Sequence, residues 1–327
     1  MKKIAILLTA MLITASLTAC NQQSEDTPSS VPESSIQTSG ESKEETEQSN
    51  EPITVSDVSS DKPSADESSD DVFVPPIPTT ITDYQYIVLN DKCRLVRYTG
   101  TETRVVVPDR VTVDGKEYEV EISAGCFKDT SIVTLALPEN ITEIPDSMCE
   151  NCQQLTSVSF MNVRSIGKNA FWHCDNWKFK LDDLNNGNTS VLKKIGETAF
   201  GFSGLYGKVV ITSDMELDIA AFQICRNISE VEIQSGVTEI PERLFAENRS
   251  LEKITLPETL TKIGFMAFSQ NIVKNLVVPR NVKEIGKLMI STYMVSGEKY
   301  TGIILGYKGS AAEEYANENG IVFSPLD

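Results

Sequence analysis

An internal repeat constrains this 327-residue chain more than any other feature. An apolar residue, usually followed by Gly or Pro, recurs with a second large apolar residue five positions later. The copies are Ile122 with Phe127, Ile144-Pro145 with Cys149, Ile166-Gly167 with Phe171, and Ile195-Gly196 with Phe200. They continue with Leu217 and Phe222, Ile240-Pro241 and Phe245, Ile263-Gly264 and Phe268, and Ile285-Gly286 and Ile290. Successive first anchors lie 22, 22, 29, 22, 23, 23 and 22 residues apart. Self-similarity at such a period means that one supersecondary unit is stacked on copies of itself.

Each copy also carries an L-x-x-L-x-L signature, often closed by Pro: Ile132, Leu135, Leu137, Pro138; Leu155, Val158, Phe160; Leu251, Ile254, Leu256, Pro257; Val273, Leu276, Val278, Pro279. Alternating apolar positions over three to five residues predict a short β-strand with one face inward. A lone coil buries too few apolar side chains to offset the ordering entropy of its backbone. Stacking supplies the remainder, because each coil then covers both flat faces and pairs its strand with the next. The expected fold is a repeat solenoid, mainly β, with short parallel strands and irregular or short helical returns over residues 122–295.

The combined pattern, L-x-x-L-x-L-P followed by V/L-T-x-I-G/P-x-x-A-F at a 22 or 23 residue period, resembles the BspA-type leucine-rich repeats of bacterial surface proteins. The resemblance covers about residues 105–295, and caps extend it to both ends of the folded part. It implies a leucine-rich-repeat solenoid and a role as an adhesin or binding protein for host or matrix partners. It does not name a ligand.

A stacked coil leaves two open faces that need covers. Residues 81–121 are expected to form a β cap and first coil, with strands at Tyr84 to Leu89, Cys93 to Tyr98 and Thr103 to Val107. Val111 to Tyr118 reads as a hairpin around Asp114-Gly115, a favoured turn pair. Residues 296–327 are expected to form the C-terminal cap: a strand at Ile303-Ile304-Leu305, a capping box from Ser310 to Glu313, and a short helix through Asn319 closed by Gly320. Gly306-Tyr307-Lys308-Gly309-Ser310 is similar to the terminal unit that follows many repeats of this family.

Charge divides the chain. Residues 1–20 carry +2, residues 21–80 hold 14 acidic and 2 basic groups, hence -12, and the remaining 247 residues carry -8 of the total of -18. At the start, Lys2 and Lys3 precede an apolar run from Ile4 to Leu17, which has the anatomy of a signal peptide and is short for a membrane span. Leu17-Thr18-Ala19-Cys20 resembles the bacterial lipobox, which implies cleavage after residue 19 and lipidation of Cys20. Attached acyl chains give stable anchoring to a membrane. The Ser-, Glu- and Pro-rich stretch that follows, through residue 80, lacks the apolar content to form a core and is expected to be a disordered tether. As a coil it reaches roughly 45 Å. A competing reading is an acidic ligand for a basic partner. No sortase-type signal follows the repeats, so anchoring is expected to rest on Cys20, and the chain is expected at the bacterial surface as a monomer.

Several functions are excluded or weakened. Net acidity argues against nucleic acid, whose affinity comes from Lys and Arg on phosphates. A single His, His173, rules out a multi-histidine metal site. No G-x-S-x-G, H-E-x-x-H or phosphate-binding Gly-rich loop is present, so no catalytic residue and no cofactor is assigned. Cys149-x-x-Cys152 invites a redox or zinc reading. Register gives a structural one instead: three residues after the Phe position come Thr130, Cys152, Cys174, Ser203, Cys225, Asn248 and Asn271, the ladder of a solenoid. Trp172-His173-Cys174 reads as a turn with a surface His rather than a Cys/His dyad.

Two places remain for a binding site. One is the strip of outward strand positions, Thr134 and Ala136, Ser157 and Ser159, Glu230 and Glu232, Lys253 and Thr255, Asn275 and Val277, with Glu230, Glu232 and Lys253 as candidate contacts. The other is the 29-residue copy, whose seven additional residues lie within Leu181 to Ser190, downstream of Trp172 and Trp177. Trp172, Trp177, Asp182, Asp183 and Asn185 offer glycan stacking and hydroxyl recognition over residues 172–190. Asp182, Asp183 and Asn185 are also oxygen ligands of the kind Ca²⁺ takes, and a merely tolerated insertion is the plain alternative. The functional expectation is a non-enzymatic surface adhesion lipoprotein for a protein or matrix partner. Its rivals are glycan capture through the loop and a structural envelope role.

Overall fold

The strand signatures stack as expected. A computed structural model of the chain describes residues 79–291 and 300–327. The signal peptide, Cys20 and the tether through residue 78 lie outside the described residues. Strands Arg104–Val106, Thr134–Ala136 and Ser157–Ser159 pair in parallel and in register. Lys178–Phe179, Gly204–Ile211, Asn227–Ile233 and Lys253–Thr255 continue the parallel arrangement. Asn275–Val277, Ile303–Gly306 and Val322–Pro325 complete it.

The first anchors form a second parallel ladder. Glu143–Ile144, Ser165–Ile166, Lys194–Ile195 and Glu216–Leu217 pair in order, then Glu239–Ile240, Lys262–Ile263 and Glu284–Ile285. The residue after each anchor donates its N–H to the anchor carbonyl one coil back: Gly167 to Ile144, Gly196 to Ile166, Gly264 to Ile240 and Gly286 to Ile263, each at 2.8 Å. Pro241 has no N–H to give, and the ladder is interrupted between Leu217 and Ile240. Close approach also explains the Gly: a Cβ on Gly286 would lie 2.4 Å from the Phe265 nitrogen, and one on Gly264 2.6 Å from that of Glu242.

The returns are not helices. They form a third ladder, made by alternate residues. Ser147, Cys149 and Asn151 donate to Lys168, Ala170 and Trp172 at 2.7, 2.8 and 2.7 Å, and Arg243, Phe245 and Glu247 donate to Phe265, Ala267 and Ser269 at 2.8, 2.9 and 2.8 Å. An α-helix spends these donors inside itself, so it leaves nothing for the neighbouring coil. The geometry requires left-handed backbone at the third and seventh residues after the anchor, seen at Ser147 and Asn151, Thr198 and Phe202, and Ala220 and Ile224, with φ between 52° and 62°. Such residues cost about 1–2 kcal/mol each without Gly, and the coil-to-coil bonds that they permit offset it.

Side chains repeat the same stacking inside. Phe171, Phe200, Phe222, Phe245 and Phe268 form a column with interplanar angles of 5–9° and centroid separations of 5.3–6.2 Å. Beside it runs the predicted polar ladder, in which the Cys and Asn rungs donate to the carbonyl of a Phe-position residue, while Ser203 lies against Cys225 and accepts the Leu205 N–H. Cys152 Sγ reaches the Phe127 carbonyl at 3.0 Å, Cys174 that of Cys149 at 3.2 Å, Cys225 that of Phe200 at 3.0 Å, and Asn248 Nδ2 that of Phe222 at 3.0 Å.

Both caps have the expected elements. Tyr84–Leu89 and Lys92–Tyr98 form an antiparallel hairpin, and Arg110–Val113 pairs with Lys116–Ile122 through Asp114 and Gly115 at φ 52° and 80°. Tyr84 and Tyr98 pack on Phe127 and close that end of the core. At the other end, the helix Ala311–Asn319 stops at Gly320 in the left-handed region, φ 62°. The capping box predicted from Ser310 and Glu313 does not form: Ser310 makes no side-chain cap bond, and Glu313 instead accepts the Gly309 N–H at 2.7 Å. The box needs Glu313 on the Ser310 N–H, which is already given to the Tyr307 carbonyl.

Candidate functional site

The strand ladder places its outward side chains in one strip, and within it one cluster is built from three neighbouring strands. Lys208 Nζ lies 2.6 Å from Glu232 and 3.5 Å from Glu230, and Lys253 Nζ lies 3.0 Å from Glu230. The hydrogen bond from Lys253 holds the Glu230 carboxyl below its usual range, and the bond that Lys208 donates to Glu232 raises Lys208. Tyr206 is exposed one turn of the pleat away, with Lys180 Nζ 5.7 Å from its ring centroid. The predicted contacts Glu230, Glu232 and Lys253 are thus brought together. Lys208, Tyr206 and Lys180 join them unannounced. The register shifts between Gly207 and Lys208, where Gly207 pairs with Ile228 and Lys208 with Glu230, so that Ser229 is left unpaired and Lys208 is set against Glu230. The spacing Leu205-x-x-x-Val209 departs from L-x-x-L and hides the strand from the repeat pattern.

The inserted coil resolves differently. Trp177 is 3% exposed, its ring centroid 3.9 Å from Phe179 and 4.8 Å from Phe171. It fills the register position of Leu155 and Leu251, so it belongs to the core and does not face a ligand. Asn185 is likewise buried: its Oδ1 accepts the Val163 N–H and its Nδ2 donates to the Val163 carbonyl, both at 2.9 Å. The loop is pinned to the preceding coil through this residue and through buried Leu181 and Leu184. Asp183 accepts the Lys180 N–H at 2.8 Å and closes the first 3-10 turn. With Asn185 turned inward, the three oxygen ligands considered for Ca²⁺ do not converge, and no cluster of three or more metal-ligating side chains occurs among the described residues.

Trp172 and Asp182 remain reachable. Trp172 is half-buried in a surface group with His173 and Phe202, whose rings stack at 4.2 Å, and Arg226 sits 5.9 Å above Phe202. His173 Nδ1 lies 3.2 Å from Asp175, while Cys174 is buried and bonded to a carbonyl, so no Cys/His dyad is formed. The six described cysteines are all buried and unpaired. Burial pushes the Cys126 and Cys225 thiols up to about 12 and raises Cys149 and Cys174 well above their ordinary value, while the hydrogen bond with Cys149 lowers the buried Cys152 thiol.

The family model for the BspA type leucine-rich repeat region matches six copies, over residues 120–214 and 179–294. The chain belongs to the BspA-type leucine-rich repeat family. Among solved structures, this BspA-type chain is similar to a leucine-rich repeat protein of Bacteroides ovatus, with 19% identity over 76% of this chain and 67% of that one and a TM-score of 0.53. It is also similar to a leucine-rich cell surface protein of Faecalibacterium prausnitzii, with 25% identity over 65% of this chain and 51% of the other and a TM-score of 0.41. A T. pallidum leucine-rich repeat protein shares 23% identity over 57% of this chain and 86% of that one, at a TM-score of 0.47. The chain spans about half the length of the F. prausnitzii protein. No curated protein matches it. No helix among the described residues is long and apolar enough to cross a membrane.

Proposed function

We propose that the protein is a non-enzymatic, lipid-anchored binding or adhesion protein of the bacterial surface that presents its strand strip to a protein or matrix partner. The observation that carries this reading is the cluster of Tyr206, Lys208, Glu230, Glu232 and Lys253. It is a rigid, exposed group of aromatic and charged side chains, fixed by three hydrogen-bonded strands. Rigid elements hold contact residues more accurately than loops do, and aromatic anchors beside charges are the composition of interface hot spots. Lipidation at Cys20 and the acidic tether are proposed to hold the solenoid to the membrane and away from it, respectively. The test is binding of the chain to an immobilised matrix-protein panel, repeated with Tyr206→Ala and Lys253→Ala. The reading requires binding that both substitutions weaken.

Glycan capture is a second reading, and the ring group of Trp172, His173 and Phe202 is what favours it. Deleting residues 182–189, or replacing Trp172 by Ala, and probing a glycan array separates the two. Loss of glycan signal with matrix binding intact supports the loop. Silence on both panels supports a structural envelope role.

A further inference from the structure

Strand Tyr84–Leu89 is the edge of the four-stranded N-terminal sheet, paired with Lys92–Tyr98 on one side and, among the described residues, with nothing on the other. Its last four residues, Tyr86, Ile87, Val88 and Leu89, are 39, 48, 41 and 51% exposed. Successive strand residues point to opposite faces, so both faces of this stretch meet solvent. Across the pair from Tyr86 and Val88 stand Leu95 and Cys93, which are fully buried. Coverage by the core therefore stops one strand short of this edge. The stretch contains no charge and no proline and is rich in aromatic and β-branched residues. Exposed edges of that composition recruit further strands, and natural edges carry Lys, Pro or bulges to prevent it. Here the one bulge, between Gln85 and Tyr86, precedes the apolar run and leaves it free.

The hairpin fixes which backbone groups are available. Its two-residue turn, Asn90 and Asp91 at φ 51° and 62°, makes Leu89 and Lys92 the hydrogen-bonded pair beside the turn. Hydrogen-bonded pairs alternate along an antiparallel ladder, so Ile87 also bonds inward, and the N–H and C=O groups of Tyr86 and Val88 point away from the hairpin. We propose that a second copy of this chain docks on this edge by antiparallel pairing of the two Tyr86-Ile87-Val88 stretches about a twofold axis through Ile87. Tyr86 then exchanges both backbone bonds with Val88 of the other copy, Val88 does the same with Tyr86, and Ile87 faces its own equivalent.

Self-complementarity selects a second copy over an unrelated partner. In this register Tyr86 meets Val88, Ile87 its own equivalent and Val88 Tyr86, and the uncharged stretch lets two net-acidic chains approach where the rest of their surface repels. One strand pair buries less than the roughly 1,600 Å² of a standard interface. The association is accordingly weak, on the order of micromolar or weaker, and it is favoured where copies share one surface and a raised effective concentration.

The test uses the full chain with Cys20→Ser, because the six described cysteines are buried. Ile87→Cys is compared with Ile272→Cys, a site of equal exposure at 49%, for disulfide-linked dimer under mild oxidation. Residues facing each other on an antiparallel pair lie at a separation that a disulfide spans. The expected result is Ile87→Cys cross-linking at least about tenfold faster. Sedimentation from about 1 μM to 1 mM should show mass rising towards a dimer, with Ile87→Lys shifting the midpoint about tenfold or more upward, its fold checked by circular dichroism. Equal cross-linking at the two sites, or a monomer across that range, overturns the proposal. So does faster trapping of Ile87→Cys by Phe73→Cys within one chain, which assigns the edge to the upstream segment.

Discussion

The coil that begins at Ile240 and the one that begins at Ile166 make the same circuit with 23 and 29 residues. Both keep the return ladder: in the longer coil Asn169, Phe171 and His173 donate to Glu197, Ala199 and Gly201 at 2.9, 2.9 and 3.0 Å. Both keep a strand in parallel register with a neighbouring coil, Lys178–Phe179 with the following one and Lys253–Thr255 with the preceding one. The additional residues enter at the corner after the strand, where the shorter coil runs from Leu256 to Thr261 and no ladder is crossed. A solenoid of this kind tolerates length only where backbone groups are not already committed to a neighbour. Its invariant side is structural, and its variable corner is free to differ.

Substitutions on the structural side of the coils and at the variable corner should separate those roles. The largest effect is expected from Phe222→Ala, in the middle of the ring column, where a lost aromatic and the cavity left behind cost about 3–5 kcal/mol; urea unfolding measures it. Gly286→Ala comes next, at about 1–3 kcal/mol, because its Cβ is forced against the Phe265 backbone. A change well below that range in urea midpoint would mean that the coils have slack. Asn185→Ala leaves the Val163 N–H and C=O without their partner, a penalty of about 1–3 kcal/mol. The loss should be local, seen as faster hydrogen exchange at Val163 and in the loop, with exchange in the returns unchanged. Cys225→Ser keeps a donor for the Phe200 carbonyl and should cost less than Cys225→Val, which removes it. Equal thermal shifts for the two would show that the thiol rung acts by packing alone.

The repeat period, the strand positions, the caps and the polar ladder were legible in the sequence because each recurs at fixed register, and register survives substitution: Cys152, Asn248 and Thr130 read as one position despite three chemistries. The third ladder was not legible. Left-handed backbone at Thr198 and Ile224 opposes local preference, and only the neighbouring coil explains it. The loop residues were misjudged for a related reason. Trp177 and Asn185 have the chemistry of glycan recognition, yet their roles were set by partners, Phe171 and Val163, that sequence spacing did not pair with them. Lys208 was hidden by the irregular spacing of Leu205 and Val209.

The coils are proposed to serve as scaffold and the strip around Tyr206 as the binding face. The most direct test is the double substitution Tyr206→Ala with Lys253→Ala, assayed by matrix-panel binding and thermal melting side by side. Both side chains are exposed and the Lys253 ion pair is at the surface, so stability should change by less than about 1 kcal/mol, while binding falls at least about tenfold. Undiminished binding by a folded double variant would contradict the account.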